Sequence, residues 1–163
     1  MKNLRFLFFA LALTLFHSNS SHAQSDSSTL NLVGLWQGIP FVGSGWSTNY
    51  QFFDDGSFRY NHNQMDCADS VISESGNYHF EEGILYLDYD SITFISGGTY
   101  VPATGSCGSE FELVGGIRVT QATEKSEGVL VEEVEPLTDY DYLDRILLDD
   151  DEWFRMLHDP NDY

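Results

Sequence analysis

Two stretches of this chain repeat one another. NYQFFDDGSFRY at residues 49–60 and NYHFEEGILYL at 77–87 each open on Asn-Tyr and alternate aromatic with polar residues. Each then places two acids before a glycine and resumes the alternation. A side-chain period of two is the geometry of a strand, and aromatic and β-branched residues fit its pleated, half-buried surface. An acid ahead of glycine marks a tight reversal, because glycine accepts the positive φ that such a turn demands. The pattern therefore predicts antiparallel hairpins and assigns Asp54-Asp55 and Glu81-Glu82 to their corners. A catalytic pair of carboxylates has no reason to recur at each hairpin.

Further strands are predicted over 32–39, 91–95, 99–101, 110–114, 117–121 and 129–134, with Gly115-Gly116 as another turn. That is about eight strands at regular spacing with no helical pattern between them. Such an order points to an all-β antiparallel barrel or sandwich and away from a parallel α/β sheet. After Pro136 the spacing changes. Tyr140, Leu143, Ile146, Leu147, Trp153, Phe154 and Leu157 recur at helical intervals, and Asp149–Glu152 supplies acids for a helix N-terminus. The expectation is an acidic helical segment over 137–163, packed on the strands at 32–136 or docked on a partner protein.

The first 23 residues read as a secretory leader. Lys2 and Arg5 precede the apolar run Phe6–Phe16, and Ser21-His22-Ala23 offers small residues at a cleavage site. The run is too short to span a bilayer, and no later segment is predicted to do so. Cleavage after Ala23 leaves a Ser-rich, loose stretch at 24–31 and an exported protein, periplasmic or extracellular. From Gln24 onward, Arg59, Arg118, Lys125, Arg145 and Arg155 are the five basic residues against 26 acids, a formal charge of −21. So acidic a surface repels nucleic acid and anionic lipid and keeps a secreted chain soluble and monomeric. In an oxidising compartment Cys67 and Cys107 are expected to form a disulfide.

Gly34-Leu35-Trp36 at the start of the first strand, followed by a Tyr-x-Phe strand, an Asp-Gly turn and a second hairpin, resembles the small bacterial lipocalin-like (calycin) proteins over residues 32–95. The resemblance implies an up-and-down barrel of about eight strands with a pocket for a small apolar ligand. Gly34 and Trp36 would close one end of it. An arginine tends to lie across that tryptophan in lipocalins, and Arg118 is the candidate. Thr138-Asp139-Tyr140 matches a late lipocalin motif but falls where a helix start is expected, and is read as a cap.

The ligand-binding candidates are the aromatics of the inward strand faces and first loop: Trp46, Tyr50, Phe52, Phe58, Tyr60, Tyr78 and Tyr89. The same residues serve equally as a filled core. No catalytic residue, metal or cofactor is assigned. Gly105-Ser106-Cys107-Gly108-Ser109 resembles the nucleophile loop of chymotrypsin-like cysteine proteases, with His62 and Asp88 preceding it in order. That fold needs two barrels, and a thiol committed to Cys67 is no nucleophile. His62, Met65, Asp66, Cys67 and His79 include metal-ligand types without a tight ligand pair. Asp139-x-Asp141 departs from a calcium loop at Leu143, so calcium binding by the acids stays open. Gly43-Ser44-Gly45-Trp46-Ser47 lacks the lysine and helix of a phosphate loop and is read as a loop at a barrel mouth. Three function classes follow: a binder of a small apolar molecule without catalysis, a protein-interaction module using the acidic tail, and a small cysteine hydrolase.

Overall fold

The computed structural model describes residues 30–41, 46–63, 65–135, 137–140 and 143–163. The leader and residues 24–29 lie outside the described residues. Leu30 and Asn31 are described, and Leu30 packs against the core. Among the described residues no helix is long and apolar enough to cross a membrane.

β1 (Gly34–Gln37), β2 (Asn49–Phe52), β3 (Ser57–Asn61), β4 (Val71–Glu81) and β5 (Ile84–Ser96) follow one another as antiparallel neighbours. β6 (Thr99–Pro102) and β7 (Phe111–Val114) pair only with each other. β8 (Ile117–Val134), β9 (Arg145–Leu148) and β10 (Asp151–Leu157) return to the main sheet, and β10 pairs with β1. Eight strands thus form a closed ring in the order β1-β2-β3-β4-β5-β8-β9-β10.

The predicted corners hold. Asp54, Asp55 and Gly56 make the β2–β3 turn: Gly56 has φ +82°, and the Asp55 carboxylate accepts the Ser57 amide at 2.9 Å and its hydroxyl at 2.6 Å. Those bonds, the hydroxyl first, hold the Asp55 carboxyl below its ordinary range. Glu82 (φ 51°) and Gly83 (φ 85°) form the two-residue β4–β5 turn, where both central residues need positive φ. Gly115-Gly116 differs. β7 and β8 do not pair with one another, so these glycines carry the chain from the small sheet into the ring.

The C-terminal helical segment is not there. Residues 145–157 are the hairpin β9–β10, which closes the ring, and the described helical turns are the 3-10 turns Thr138–Tyr140 and Pro160–Asp162. Asp149 (φ 49°) and Asp150 (φ 71°) are the two central residues of its tight turn rather than helix-capping acids. The doublets Leu147-Leu148 and Trp153-Phe154 mimic helical spacing because this hairpin buries side chains on both faces. Ile146 and Leu148 join the core, while Phe154 is buried opposite Gln37 on the other face.

The core is aromatic. Trp36, Tyr50, Phe52, Phe58, Leu85, Leu87, Tyr89, Val129, Ile146 and Leu148 form one buried cluster, as cross-strand register predicts for Trp36–Tyr50, Phe52–Phe58 and Leu85–Val129. Gly76 sits where β4 runs tight against β5: a Cβ there would stand 1.9 Å from the Asp88 carbonyl oxygen. Opposite the core, Asn49, Gln51 and Asn61 are buried and bonded to one another. The Asn61 amide donates to Asn49 Oδ1 and Gln51 Oε1, both at 2.9 Å. Gln51 Nε2 donates to the Pro160 carbonyl at 2.7 Å, fastening the chain's last turn across this face.

Candidate functional site

Where the chain enters β1, the Trp36 indole donates to the Leu32 carbonyl at 2.7 Å, and a guanidinium lies 4.6 Å above its ring. That guanidinium is Arg155, not Arg118. Arg155 also donates to the Asn31 carbonyl and pairs with Asp144 at 3.3 Å. Gly34 (φ 138°) lets β1 approach β10 here, since a Cβ would come within 2.6 Å of the Leu157 carbonyl oxygen. This cluster holds the N-terminal approach, β1 and β10 together through cation–π, hydrogen-bond and ionic contacts.

Elsewhere the inward face becomes polar. Tyr50 donates a hydrogen bond to the Tyr89 hydroxyl. Lys125 lies 4.4 Å from the Tyr89 ring centroid and 2.6 Å from Glu127, and that bond raises the lysine's pKa. Burial pushes the Tyr50, Tyr60 and Tyr89 phenols up, and the charges of Glu74 and Glu127 add to the effect on Tyr60 and Tyr89. These phenols are neutral hydrogen-bonding groups at physiological pH rather than bases.

A cavity of about 370 Å³ opens beside this region, between the ends of β1 and β2 and the β9–β10 turn. Tyr60 and Trp153 form its aromatic wall, with Gly38, Thr48 and Asn63 around them. Both aromatics also pack on the core, and the Tyr50 ring lies 4.7 Å from Tyr60 and 4.9 Å from Trp153. The Trp153 Nε1 is buried and has no acceptor among the described residues. A buried donor without a partner has lost its water bond and awaits an acceptor.

The structure divides the ligand-binding candidates. Tyr60 lines the cavity. Tyr50, Phe52, Phe58 and Tyr89 pack on one another in the core, and Phe52 and Phe58 are almost wholly buried. Tyr78 packs edge-on against Phe52 and donates to the Phe53 carbonyl at 2.9 Å. Trp46 rests against Tyr163, ring centroids 5.3 Å apart. Trp153 belongs to the cavity but not to the candidate set, because its place in the sequence reads as part of a helix.

Cys67 and Cys107 are joined in a disulfide, Cα atoms 5.8 Å apart, so Cys107 carries no free thiol. His62 sits between Asp69 (3.1 Å) and Glu74 (3.6 Å), and His79 beside Asp88 (3.3 Å). Among the described residues no three His, Cys, Asp or Glu side chains converge to hold a metal ion.

No known family, curated protein or solved structure matches this chain. The case for function therefore rests on its own geometry.

Proposed function

We propose that this chain is an exported, lipocalin-like up-and-down barrel that binds a small molecule at the mouth lined by Tyr60 and Trp153, without catalysis. The observation that carries the reading is the Trp153 indole N–H, buried beside a cavity of about 370 Å³ with no acceptor among the described residues. The sequential ring and the Arg155–Trp36 stack support the lipocalin-like description. The interior below the mouth is filled by Tyr50, Phe52 and Phe58, which favours a compact ligand with an apolar ring and one hydrogen-bond acceptor over a long chain. The leader at 1–23 directs the protein to the periplasm or beyond the cell.

Native mass spectrometry of residues 24–163, recovered from the exported fraction, tests this directly. The expected result is a reproducible adduct that is lost on denaturation and absent from Trp153→Phe. A bare wild-type mass, or an adduct retained by that variant, overturns the mouth as the site.

A second reading keeps a protein-interaction role but moves it. The acidic helices that would have docked do not exist, whereas Tyr100, Phe111 and Ile117 are at least half exposed on the small sheet and the adjoining end of β8. Exposed apolar side chains gathered on one region suit a protein surface. Their replacement by serine would then abolish partner capture and leave the adduct intact.

A further inference from the structure

We propose that the wall opposite the core carries a second binding site, a cleft for a short acidic oligosaccharide gripped at its ends by Arg59 and Arg118. This site adjoins the mouth, with Asn63 at the rim of both, but it does not rest on the reading given above.

The cleft measures about 520 Å³ and both arginines line it. Their state is unusual for this molecule. Of the five basic residues after the leader, Lys125 is paired with Glu127, Arg145 with Glu152 and Arg155 with Asp144. Arg59 and Arg118 form no ion pair or hydrogen bond among the described residues, although the chain carries 26 acids. The two unpaired guanidiniums open on the same cleft. Two acids also line the cleft, each bonded to groups other than the arginines. Asp69 accepts from the Val71 amide and faces His62, and Asp66 accepts the Ser109 hydroxyl and the Ala68 amide.

Register fixes the spacing of the grips. Arg59 lies in the cross-strand row Arg59–Ser75–Ser91–Ala122, three strands away from β8, and Arg118 lies four residues along β8 from Ala122. Strands about 4.8 Å apart, with a rise of about 3.3 Å per residue, put the two Cα atoms roughly 20 Å apart on a flat sheet. Arginines set that far apart along the wall suit a ligand longer than one small anion. An elongated ligand with an anionic group toward each end meets both, each arginine forking onto one carboxylate.

Between them runs the row Asn61–Ser73–Thr93–Thr120, an amide and three hydroxyls, with the two threonine hydroxyls 2.9 Å apart. The Asn61 amide is already committed to Asn49 and Gln51, but the hydroxyls of Ser73, Thr93 and Thr120 keep bonding capacity that an apolar linker would leave unused and a chain of hydroxyl-bearing rings would fill. Tyr163 lines the cleft, its ring tilted against Trp46, and offers an aromatic surface to a sugar ring. The ligand must also be short. Beyond a Debye length of about 8 Å the arginines are screened, and a longer polyanion would lie against the acidic remainder of the surface.

The test is calorimetry of residues 24–163 with galacturonate, trigalacturonate, maltotriose, triaspartate and inorganic phosphate at low ionic strength. The expected result is that trigalacturonate binds at least about tenfold more tightly than galacturonate, that maltotriose and phosphate do not compete with it, and that Arg59→Gln and Arg118→Gln each weaken it by a similar factor. Both arginines are exposed, so these variants should keep the wild-type melting curve, and Arg→Lys at either site should restore part of the affinity. Equal affinity for monomer and trimer, wild-type binding by the Gln variants, or no binding of the trimer overturns the site. Equal binding of triaspartate overturns the sugar assignment in favour of an acidic peptide. Loss of trimer binding in Trp153→Phe overturns its independence from the mouth.

Discussion

The ring and the small sheet are both antiparallel β-structure, yet they are held by different forces. In the ring, Phe58 touches Tyr50, Phe52 and Tyr89 and is almost without solvent exposure. In the small sheet, Phe111 is half exposed and Tyr100 more so. What ties the β6–β7 hairpin down is the Cys67–Cys107 bond and a few hydrogen bonds to the 62–70 loop: Gly108 N to Met65 O and Leu113 N to Cys67 O, each 2.8 Å. One region is stabilised by removing apolar surface from water, the other by a covalent link and polar contacts. A two-stranded sheet is marginal in water on its own, so the link is what makes this hairpin persist.

The sharpest way to break the contrast is to truncate an aromatic in each. Phe58→Ala should cost about 3–5 kcal/mol, the range for emptying a buried phenylalanine site. Tyr100→Ala should stay within about 0.5 kcal/mol, as exposed substitutions do. Urea midpoints of the two variants measure the difference. Comparable losses would mean that the small sheet is packed as part of the core. Gly76→Ala should behave like an extreme form of Phe58→Ala, because its Cβ has no room against the Asp88 carbonyl.

Cys67→Ser with Cys107→Ser comes next. Opening a loop of sequence separation 40 is worth about 4 kcal/mol in the chain-entropy view. The loss should be unevenly spread, which global unfolding alone would not reveal. Hydrogen exchange should show amides of 65–69 and 99–114 losing protection while β2 to β5 keep theirs. Uniform loss across both regions would dissolve the distinction between them.

The same contrast explains what the sequence made legible. Where polar and apolar residues alternate strictly, as in 49–60 and 77–87, the period of two is clean and the turn acids announce themselves beside glycine. Asp149-Asp150 serves a hairpin as Asp54-Asp55 does, but without a glycine after it the signal fails, and β9 and β10 carry the apolar doublets Leu147-Leu148 and Trp153-Phe154, so alternation disappears. The opposite failure hides the middle of β8. Residues 123–128 are polar throughout, and the chain there looks like a loop, yet it is one continuous 18-residue strand that brings Lys125 to Tyr89. Tyr60 was legible as a site residue because it lies on a clean strand. Trp153 was hidden by the false helix. The two cleft arginines give no local pattern at all, since the register across four strands alone brings them to one surface. One outward signal did exist: Asn49, Gln51 and Asn61 are uncharged amides at positions where a solvated strand would carry charges, and they mark the face that the C-terminal turn covers.

The smallest expected effect is local and pH-dependent. The Ser109 hydroxyl, and after it the Ala68 amide, hold the Asp66 carboxyl below its ordinary value of 3.8. A carboxyl whose folded pKa is depressed binds its proton more readily in the unfolded state. Its contribution is therefore complete above the ordinary value and is lost as pH falls through the folded one. Asp66 is exposed, so the consequence belongs to the junction between loop and hairpin rather than to the global midpoint. Amide NMR signals of Cys67, Ala68 and Ser109 should shift together as pH drops from about 5 toward 2, while those of Phe52 and Phe58 stay in place. In Asp66→Asn the shift should vanish and the signals should stand near their acid positions at neutral pH. If the core amides move in step with the loop, the two regions are one cooperative unit, and the division between a buried ring and a tethered hairpin is wrong.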